Sequence, residues 1–486
     1  MTPGHVHNEA KNTSRSFLLW LLVMTVLAGG FRLYHLGSAS LWVDELNTVR
    51  VCADFGGTNM SKLLGYVPTA VGLWLCGANP FEIPVGAPEL WRSMGVDEWS
   101  MRIASALIGI VSVPLLGLAS RRLLGARVAG IMALLLAIAP WHIYWSQASR
   151  FYTQQFLFYN LSLLWYFSAT EQTSRRRMVG AMVFMVLAFL SQPPALVICF
   201  VFALDWLAGL LRRRPVRLAP FGWICAVVAL AVCAGVLALD VERKPEDWTQ
   251  FVGDTHQVPW TMILGSAYMI GPAVILFALL PAWRRVVEGN RLSIYLLLAG
   301  VVPPLAFAIM SSQSYVGLRY AFVSLYAWLA LAAIGIDQIH QVLRERLGRA
   351  VAAAPLAVLL ASMLLMAYGY YTTGAGFHTR WRDAFDYVAR HREPTDRVAC
   401  ARTLVGRYYL EDASVEKMPK TSDQLTASNH PTWIVMEAED AIRERVRPWL
   451  NDVAELKAVF DVRVVAPYSS VRVYRYAPAG RSPTGP

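Results

Sequence analysis

LYHLGSASLWVDELNTV, residues 33–49, decides how the whole chain is read. It follows directly on an apolar segment and carries two adjacent carboxylates, Asp44 and Glu45. Acids at the edge of a bilayer are poorly hydrated and costly, which makes them functional candidates by default. Neighbouring side chains point apart on a helix or a strand, so one of the pair is the chemical candidate and the other a positioner. Flanked by Trp42 and Leu46, such a carboxylate is partly desolvated and basic enough to accept a proton from a hydroxyl. The bland alternative is a solvated pair of loop acids.

Working outward, the 486 residues are 56% hydrophobic and 16% charged, too apolar and too sparsely charged for an ordinary soluble domain. The net charge of +11 would suit nucleic acid, but the arginines fall in clusters between apolar segments, where they act as topology signals. Eleven spans are expected near 17–36, 102–120, 128–146, 153–170, 178–192, 195–211, 219–239, 260–281, 292–311, 320–339 and 350–371. With a cytoplasmic N-terminal tail (1–16), the clusters led by Arg121, Arg175, Arg212, Arg284 and Arg344 all fall on the cytoplasmic side. Merging the fifth and sixth spans across Ser191-Gln192-Pro193-Pro194 would invert everything downstream.

This arrangement gathers the polar chemistry on the opposite face. There lie a first outer loop (37–101), whose stretch Leu63 to Leu75 reads as a helix along the interface, and a soluble α/β domain (374–478). In that domain WRDAFDYVARHR puts Trp381, Phe385, Val388 and Ala389 on one helical face. DRVACAR and TWIVME read as strands, and VVAPYSSVRVYRYAP as a hairpin. The fold class is thus mainly α: a polytopic helical bundle (17–373) with a C-terminal α/β domain on the non-cytoplasmic face. Disorder is expected in residues 1–15 and in the tail 479–486.

Arg102, Arg150 and Arg319 stand outside the basic clusters, at the outer ends of spans, and run against the positive-inside bias. A phosphate or pyrophosphate accounts for them, because guanidinium binds it bidentately. Snorkelling to headgroups, or pairing with Asp44, Glu45 or Asp97, is the alternative. Tyr152 and Tyr320 accompany two of them. His142, among Trp141, Tyr144 and Trp145, reads as a hydrogen-bonded interface residue. Asp205 and Asp337 lack the further buried acids that a proton path needs. The acids and bases from Glu242 to His256 match no metal-ligand pattern and read as a solvated loop. The six cysteines show no CxxC spacing; a Cys52–Cys76 disulfide is the one pairing considered. No Gly-rich phosphate loop or nucleotide-binding βαβ pattern occurs.

FRLYHLGSASLWVDEL (31–46), GVDEWSMRIASALIGIVSVPLLGLASRRLLG (95–125), APWHIYWSQASRFYTQQFLFYNLSLL (139–164) and LRYAFVSLY (318–326) together resemble the GT-C class of polytopic glycosyltransferases. The resemblance is to the branch with aminoarabinose transferases and protein O-mannosyltransferases, and runs from about residue 17 to 340. One departure is that Tyr66-Val67-Pro68 and an insert, Ala78 to Glu98, stand where the family has a His-Pro-Pro-like element. The resemblance implies a glycosyltransferase moving a sugar from a polyprenyl-phosphate carrier to a cell-envelope acceptor, with inversion, on the outer face of a bacterial inner membrane. It implies Asp44 as catalytic carboxylate with Glu45 beside it, and Arg102, Arg150, Tyr152, Arg319 and Tyr320 around the donor phosphate and carrier. No cofactor is expected, and a divalent metal is left open. A transporter or flippase of lipid-linked sugars is the alternative; it would call for an internal repeat and broken mid-membrane helices.

Overall fold

The computed structural model describes residues 3–213, 216–243, 259–312, 316–372, 378–428, 430–438, 447–462 and 470–478. The expected tail 479–486, nearly all of the Glu242–His256 loop and the first half of the expected hairpin lie outside these residues. The chain divides into two compact units. One comprises Met1–Tyr34, Gly57–Pro68 and Ala104–Ala367; the other comprises His35–Gly56, Thr69–Ile103 and Tyr368–Pro486.

Helices dominate in chain order: α1 (Pro3–Leu33), α2 (Val43–Ala53), α3 (Leu63–Leu75), α4 (Glu98–Ile138), α5 (Pro140–Ser146), α6 (Tyr152–Gln172), α7 (Arg175–Ser191), α8 (Ile198–Leu211) and α9 (Ala219–Arg243). They continue with α10 (Pro259–Ile270), α11 (Pro272–Val287), α12 (Arg291–Ser311), α13 (Leu325–Leu347) and α14 (Arg349–Thr372). Among the described residues seven helices are long and apolar enough to cross a membrane, or eight if the bent pair α10 and α11 forms one span. The chain is a multi-pass membrane protein.

The breaks follow local chemistry. Proline stands at the first position of α5, α10 and α11, where a missing N–H costs nothing. Gly125 interrupts α4 with φ 80° and ψ 160°, a conformation open almost only to glycine, between Arg122 and Arg127. Gly271 (φ 100°) separates α10 from α11, whose axes differ by 87°. Between α7 and α8 the Ser-Gln-Pro-Pro stretch ends one helix at Ser191 and opens a 3-10 turn, Pro193–Val197, so these remain two helices.

At the heart of the first unit lies α13, whose twelve residues Leu325 to Ile336 are all buried. Trp328 donates to the Gly300 carbonyl of α12 (3.0 Å), and Tyr326 OH meets Ser120 Oγ of α4 (2.6 Å). Asp205 and Asp337 are both paired with arginines. Asp205 receives Arg291 Nη2 at 2.7 Å, and Asp337 lies 2.8 Å from Arg127 Nε. A carboxylate held by a guanidinium fixes helix to helix, and neither of these two acids is left uncommitted for a proton relay.

In the second unit a five-stranded sheet runs β2-β1-β3-β5-β4, with β1 (Arg397–Cys400), β2 (Glu416–Lys417), β3 (Thr432–Glu437), β4 (Glu455–Phe460) and β5 (Val471–Tyr476). β1 pairs in parallel with β2 and β3, while β5 lies antiparallel to β3 and β4. Two of these strands were expected from DRVACAR and TWIVME. The end of VVAPYSSVRVYRYAP is β5, but its hairpin partner is the upstream β4. Ile434, Met436 and Tyr474 pack with Leu425 and Leu450 on one face. α15 (Trp381–His391) lies on the same sheet with Trp381, Ala384, Phe385 and Val388 buried; Ala389, expected on that face, is exposed. α16 (Thr403–Leu410) then meets the first outer segment. Tyr409 OH accepts from Leu41 N (2.5 Å) and bonds Glu98 Oε1 (3.0 Å), while Tyr408 OH donates to the Val96 carbonyl (3.0 Å).

Candidate functional site

Asp44 and Glu45 occupy the first turn of α2, where the helix dipole favours negative charge. Glu45 Oε2 accepts from Trp42 N at 3.3 Å, the acidic half of a capping box. One position apart on a helix, the two carboxylates diverge as expected: Glu45 is 0% exposed, whereas Asp44 is half-buried and reaches solvent.

Glu45 faces Arg102, and this pair corrects the expectation that placed Arg102 at a donor phosphate. Arg102 Nε and Nη2 donate to the two Glu45 oxygens at 2.9 and 2.7 Å. Its remaining N–H groups donate to the carbonyls of Leu36 (3.3 Å), Ala39 (2.7 Å) and Ser40 (2.9 Å). A guanidinium has five N–H bonds, and all five are spent. Arg102 is also 0% exposed, so it positions Glu45 and the loop before α2 and has nothing left to offer an anion. By the same token the Glu45 carboxylate is enclosed and committed to Arg102.

In the first unit Arg319 and Tyr320 sit on a 3-10 segment, Leu318–Ser324, and Tyr152 opens α6. The Arg319 guanidinium carbon lies 6.0 Å from the Tyr152 ring centre and 5.7 Å from that of Tyr320; the two rings are 6.4 Å apart. Arg150 stacks on Phe151 at 4.6 Å, and Phe151 touches Tyr152. The structure therefore brings Arg150, Tyr152, Arg319 and Tyr320 into one aromatic-lined group. Each guanidinium lies against an aromatic ring, an arrangement that steadies it.

Tyr320 also lines a cavity of ≈ 450 Å³. Its lining is mostly apolar (Leu196, Val197, Phe200, Phe307, Met310), with Asn59, Lys62 and Gln192 among the polar residues. Sequence reasoning missed Lys62, although the signal that flagged the arginines applies to it: a cation outside the basic clusters that opens an apolar stretch. It missed Asp240 as well. That carboxylate is buried and accepts from Met60 N (2.5 Å) and Ser61 N (3.0 Å), holding the turn that carries Lys62.

His142 is fully buried, with Nδ1 2.8 Å from Arg32 Nη2 and 3.2 Å from Ser146 Oγ; because arginine can only donate, Nδ1 accepts. Arg32 also donates to the carbonyls of Leu136 (3.0 Å) and Ala137 (2.8 Å), the last turn of α4. His142 is thus hydrogen-bonded, as expected, but is fully buried instead of lying at an interface. Cys52 and Cys76 are not joined in a disulfide, and burial pushes the Cys52 thiol up to about 12. Among the described residues no group of three or more His, Cys, Asp or Glu side chains is arranged to hold a metal.

Residues 90–238 match the family model described as dolichyl-phosphate-mannose-protein mannosyltransferase. The fold is similar to that of ArnT from Cupriavidus metallidurans bound to undecaprenyl phosphate, with TM-score 0.56 and 15% identity over 96% of this chain and 99% of that one. It is also similar to the Archaeoglobus fulgidus oligosaccharyltransferase tethered with an acceptor peptide, with TM-score 0.52 and 12% identity over 91% of this chain and 72% of that one. No curated protein matches the sequence. The chain resembles the GT-C glycosyltransferases that use lipid-linked donors.

Proposed function

We propose that this chain, similar to GT-C enzymes along its length, is an integral-membrane glycosyltransferase that takes a sugar from a polyprenyl-phosphate carrier. The observation that carries the reading is the cavity of ≈ 450 Å³, with apolar walls suited to an isoprenoid chain and Lys62 and Tyr320 at its lining. A lipid phosphate needs those two environments side by side: hydrocarbon for the tail and a fixed cation for the head. The likeness to a structure bound to undecaprenyl phosphate supports the same ligand class.

In this reading Asp44 removes the proton of an acceptor hydroxyl as that oxygen attacks the anomeric carbon from the face opposite the phosphate. The carbon–oxygen bond to the phosphate breaks with inversion, and its electron pair stays on the phosphate oxygen. Arg150, Arg319 and Lys62 stabilise that charge, with Tyr152 and Tyr320 ordering the cations. Glu45 and Arg102 hold the turn that presents Asp44. Fixed cations at a developing anion are commonly the largest single contribution to such a rate. The pairing of Asp205 and Asp337 with arginines gives the transporter alternative little support.

Asp44→Asn, in protein confirmed to be folded and membrane-inserted, should lower transfer by about 10²- to 10⁴-fold, the usual contribution of a positioned base. Near-normal transfer by that variant would remove Asp44 from the mechanism. The acceptor is taken to be a cell-envelope lipid, polysaccharide or protein outside the bacterial inner membrane. The proposed layout has a cytoplasmic tail 1–16, a transmembrane catalytic domain 17–373 of eleven spans with its outer loop 37–101, and an outer α/β domain 374–478. Single cysteines replacing Arg122 or Arg176 should resist an impermeant maleimide, whereas those replacing Asp386 or Asp423 should react. The reverse pattern would overturn the sidedness.

A further inference from the structure

The first unit carries a second apolar space that the reaction scheme does not use. Helices α6 to α9 enclose a cleft of ≈ 60 Å³ whose lining is almost wholly apolar. Its walls are single helix faces: Met178, Met182 and Met185 on α7, and on α9 the stripe from Ala219 through Gly222, Trp223 and Ala226 to Leu230. At 1.5 Å per residue the α9 stripe runs about 16 Å, close to one leaflet of a hydrocarbon core roughly 30 Å thick. Where one water needs roughly 10–15 Å³, this space takes a short file of methylene groups and little else. Among the candidate spans of the described residues α9 is the least buried, at 17%, so the cleft lies at the lipid-facing edge of the bundle.

One end of the cleft is strongly basic. Met178 and Ala219 stand there within three residues of Arg175, Arg176, Arg177 and Arg217, and α8 ends at the same level beside Arg212. Arg175 reaches from α7 to the Phe221 ring of α9 at 5.5 Å. Trp206 and Trp223 meet edge to face near that end (5.5 Å), the residue type that settles at headgroup depth. The carboxylates of this region are already taken, Glu171 and Asp205 by Arg291 (2.7 Å each) and Glu288 by Arg284 (2.9 Å). Among the described residues Arg175, Arg176, Arg212 and Arg217 therefore have no carboxylate within 4 Å. Topology alone accounts for basic residues at a helix end. It does not account for a slot one leaflet deep beneath them.

We propose that this cleft holds one acyl chain of an anionic glycerophospholipid whose phosphate rests on Arg175 and Arg176. Basic pockets between membrane helices select such headgroups, because a zwitterionic one brings its own ammonium into a field that has no carboxylate to receive it. A polyprenyl chain carries methyl branches along its length, which a slot one methylene wide rejects. The inference stands apart from the transferase reading and concerns a different space from the one lined by Lys62 and Tyr320. It bears on that space through α9: a lipid wedged against α7 and α8 fastens the helix whose other end carries Asp240, the residue that holds the turn of Lys62.

Native mass spectrometry of the full chain in detergent tests this, with dioleoyl phosphatidylglycerol, dioleoyl phosphatidylcholine and undecaprenyl phosphate as probes. One phosphatidylglycerol should be retained about tenfold better than phosphatidylcholine. Arg175→Gln combined with Arg176→Gln should cut that retention about tenfold, the loss of charged hydrogen bonds to one phosphate. Arg122→Gln, in a different basic cluster, should leave it unchanged. Ala226→Phe, which fills the slot, should remove the bound lipid. Both arginines are exposed, so their double variant decides the matter even where the filled slot impairs folding. Equal retention of the two phospholipids, indifference to the double variant, the same loss with Arg122→Gln, or displacement of phosphatidylglycerol by equimolar undecaprenyl phosphate would overturn the proposal.

Discussion

Arg102 shows how a residue is assigned by its remaining hydrogen-bonding capacity. From the sequence it was one of three outer arginines needing an anion; the anion proves to be Glu45, 57 positions away, and three carbonyls take the other donors. Nothing periodic links residues 45 and 102, so the pair was legible only as one of several alternatives. Removing one partner strands a buried charge. Glu45→Gln or Arg102→Met should each destabilise the protein by about 3–5 kcal/mol, and the double variant by less than the sum of the two. A double-mutant cycle of thermal unfolding in detergent checks this; additive losses would contradict it. His378 makes a second residue-scale prediction. Its pKa falls from an ordinary value of about 6.5 to about 3 in the folded chain, through burial and then the Arg102 charge. His35, Arg380, Arg382 and Asp383 line a cavity with His378. The unfolded chain therefore binds a proton across this window that the folded chain refuses. Stability contributed by neutral His378 is complete above pH 6.5 and is lost as pH falls toward 3, at about 1.4 kcal/mol per pH unit. His378→Gln should flatten the acid limb of unfolding midpoints between pH 7 and 5, and an unchanged slope would rule His378 out.

Among the elements, the helices were the most legible, because twenty-residue apolar runs leave little freedom of interpretation. The interruption of α4 at Gly125 falls between Arg122 and Arg127, where charge alone had separated two spans. An added Cβ there meets no atom within 4 Å, so the cost of Gly125→Ala is conformational and not steric. It should be about 1–3 kcal/mol, read as a lower unfolding midpoint, and Gly125→Asn should cost no less. Leu63 to Leu75 forms a helix, α3, on which Val67, Val71 and Trp74 are exposed. Short elements were harder. The turn Met60–Lys62 has no pattern of its own and is held by Asp240, 180 positions on, which is why Lys62 escaped notice. The partner of β5 was misplaced for a related reason: alternation identifies a strand but not its neighbour.

Across the whole molecule, the linear division into bundle, outer loop and C-terminal domain is cut differently by packing. Most of the first outer loop gathers with the C-terminal sheet in one unit, through pairs such as Tyr409 with Leu41 that are 368 residues apart. Such pairings leave no trace in composition or periodicity. A similar separation governs Arg32, whose acceptors at Leu136, Ala137 and His142 follow it by 104 to 110 residues. During synthesis the first helix enters the bilayer long before those groups exist. Its guanidinium must wait at the headgroup layer, with only the Ala28 carbonyl of its own helix at hand. The acceptors on the α4–α5 corner become available only after more than a quarter of the polypeptide has been made.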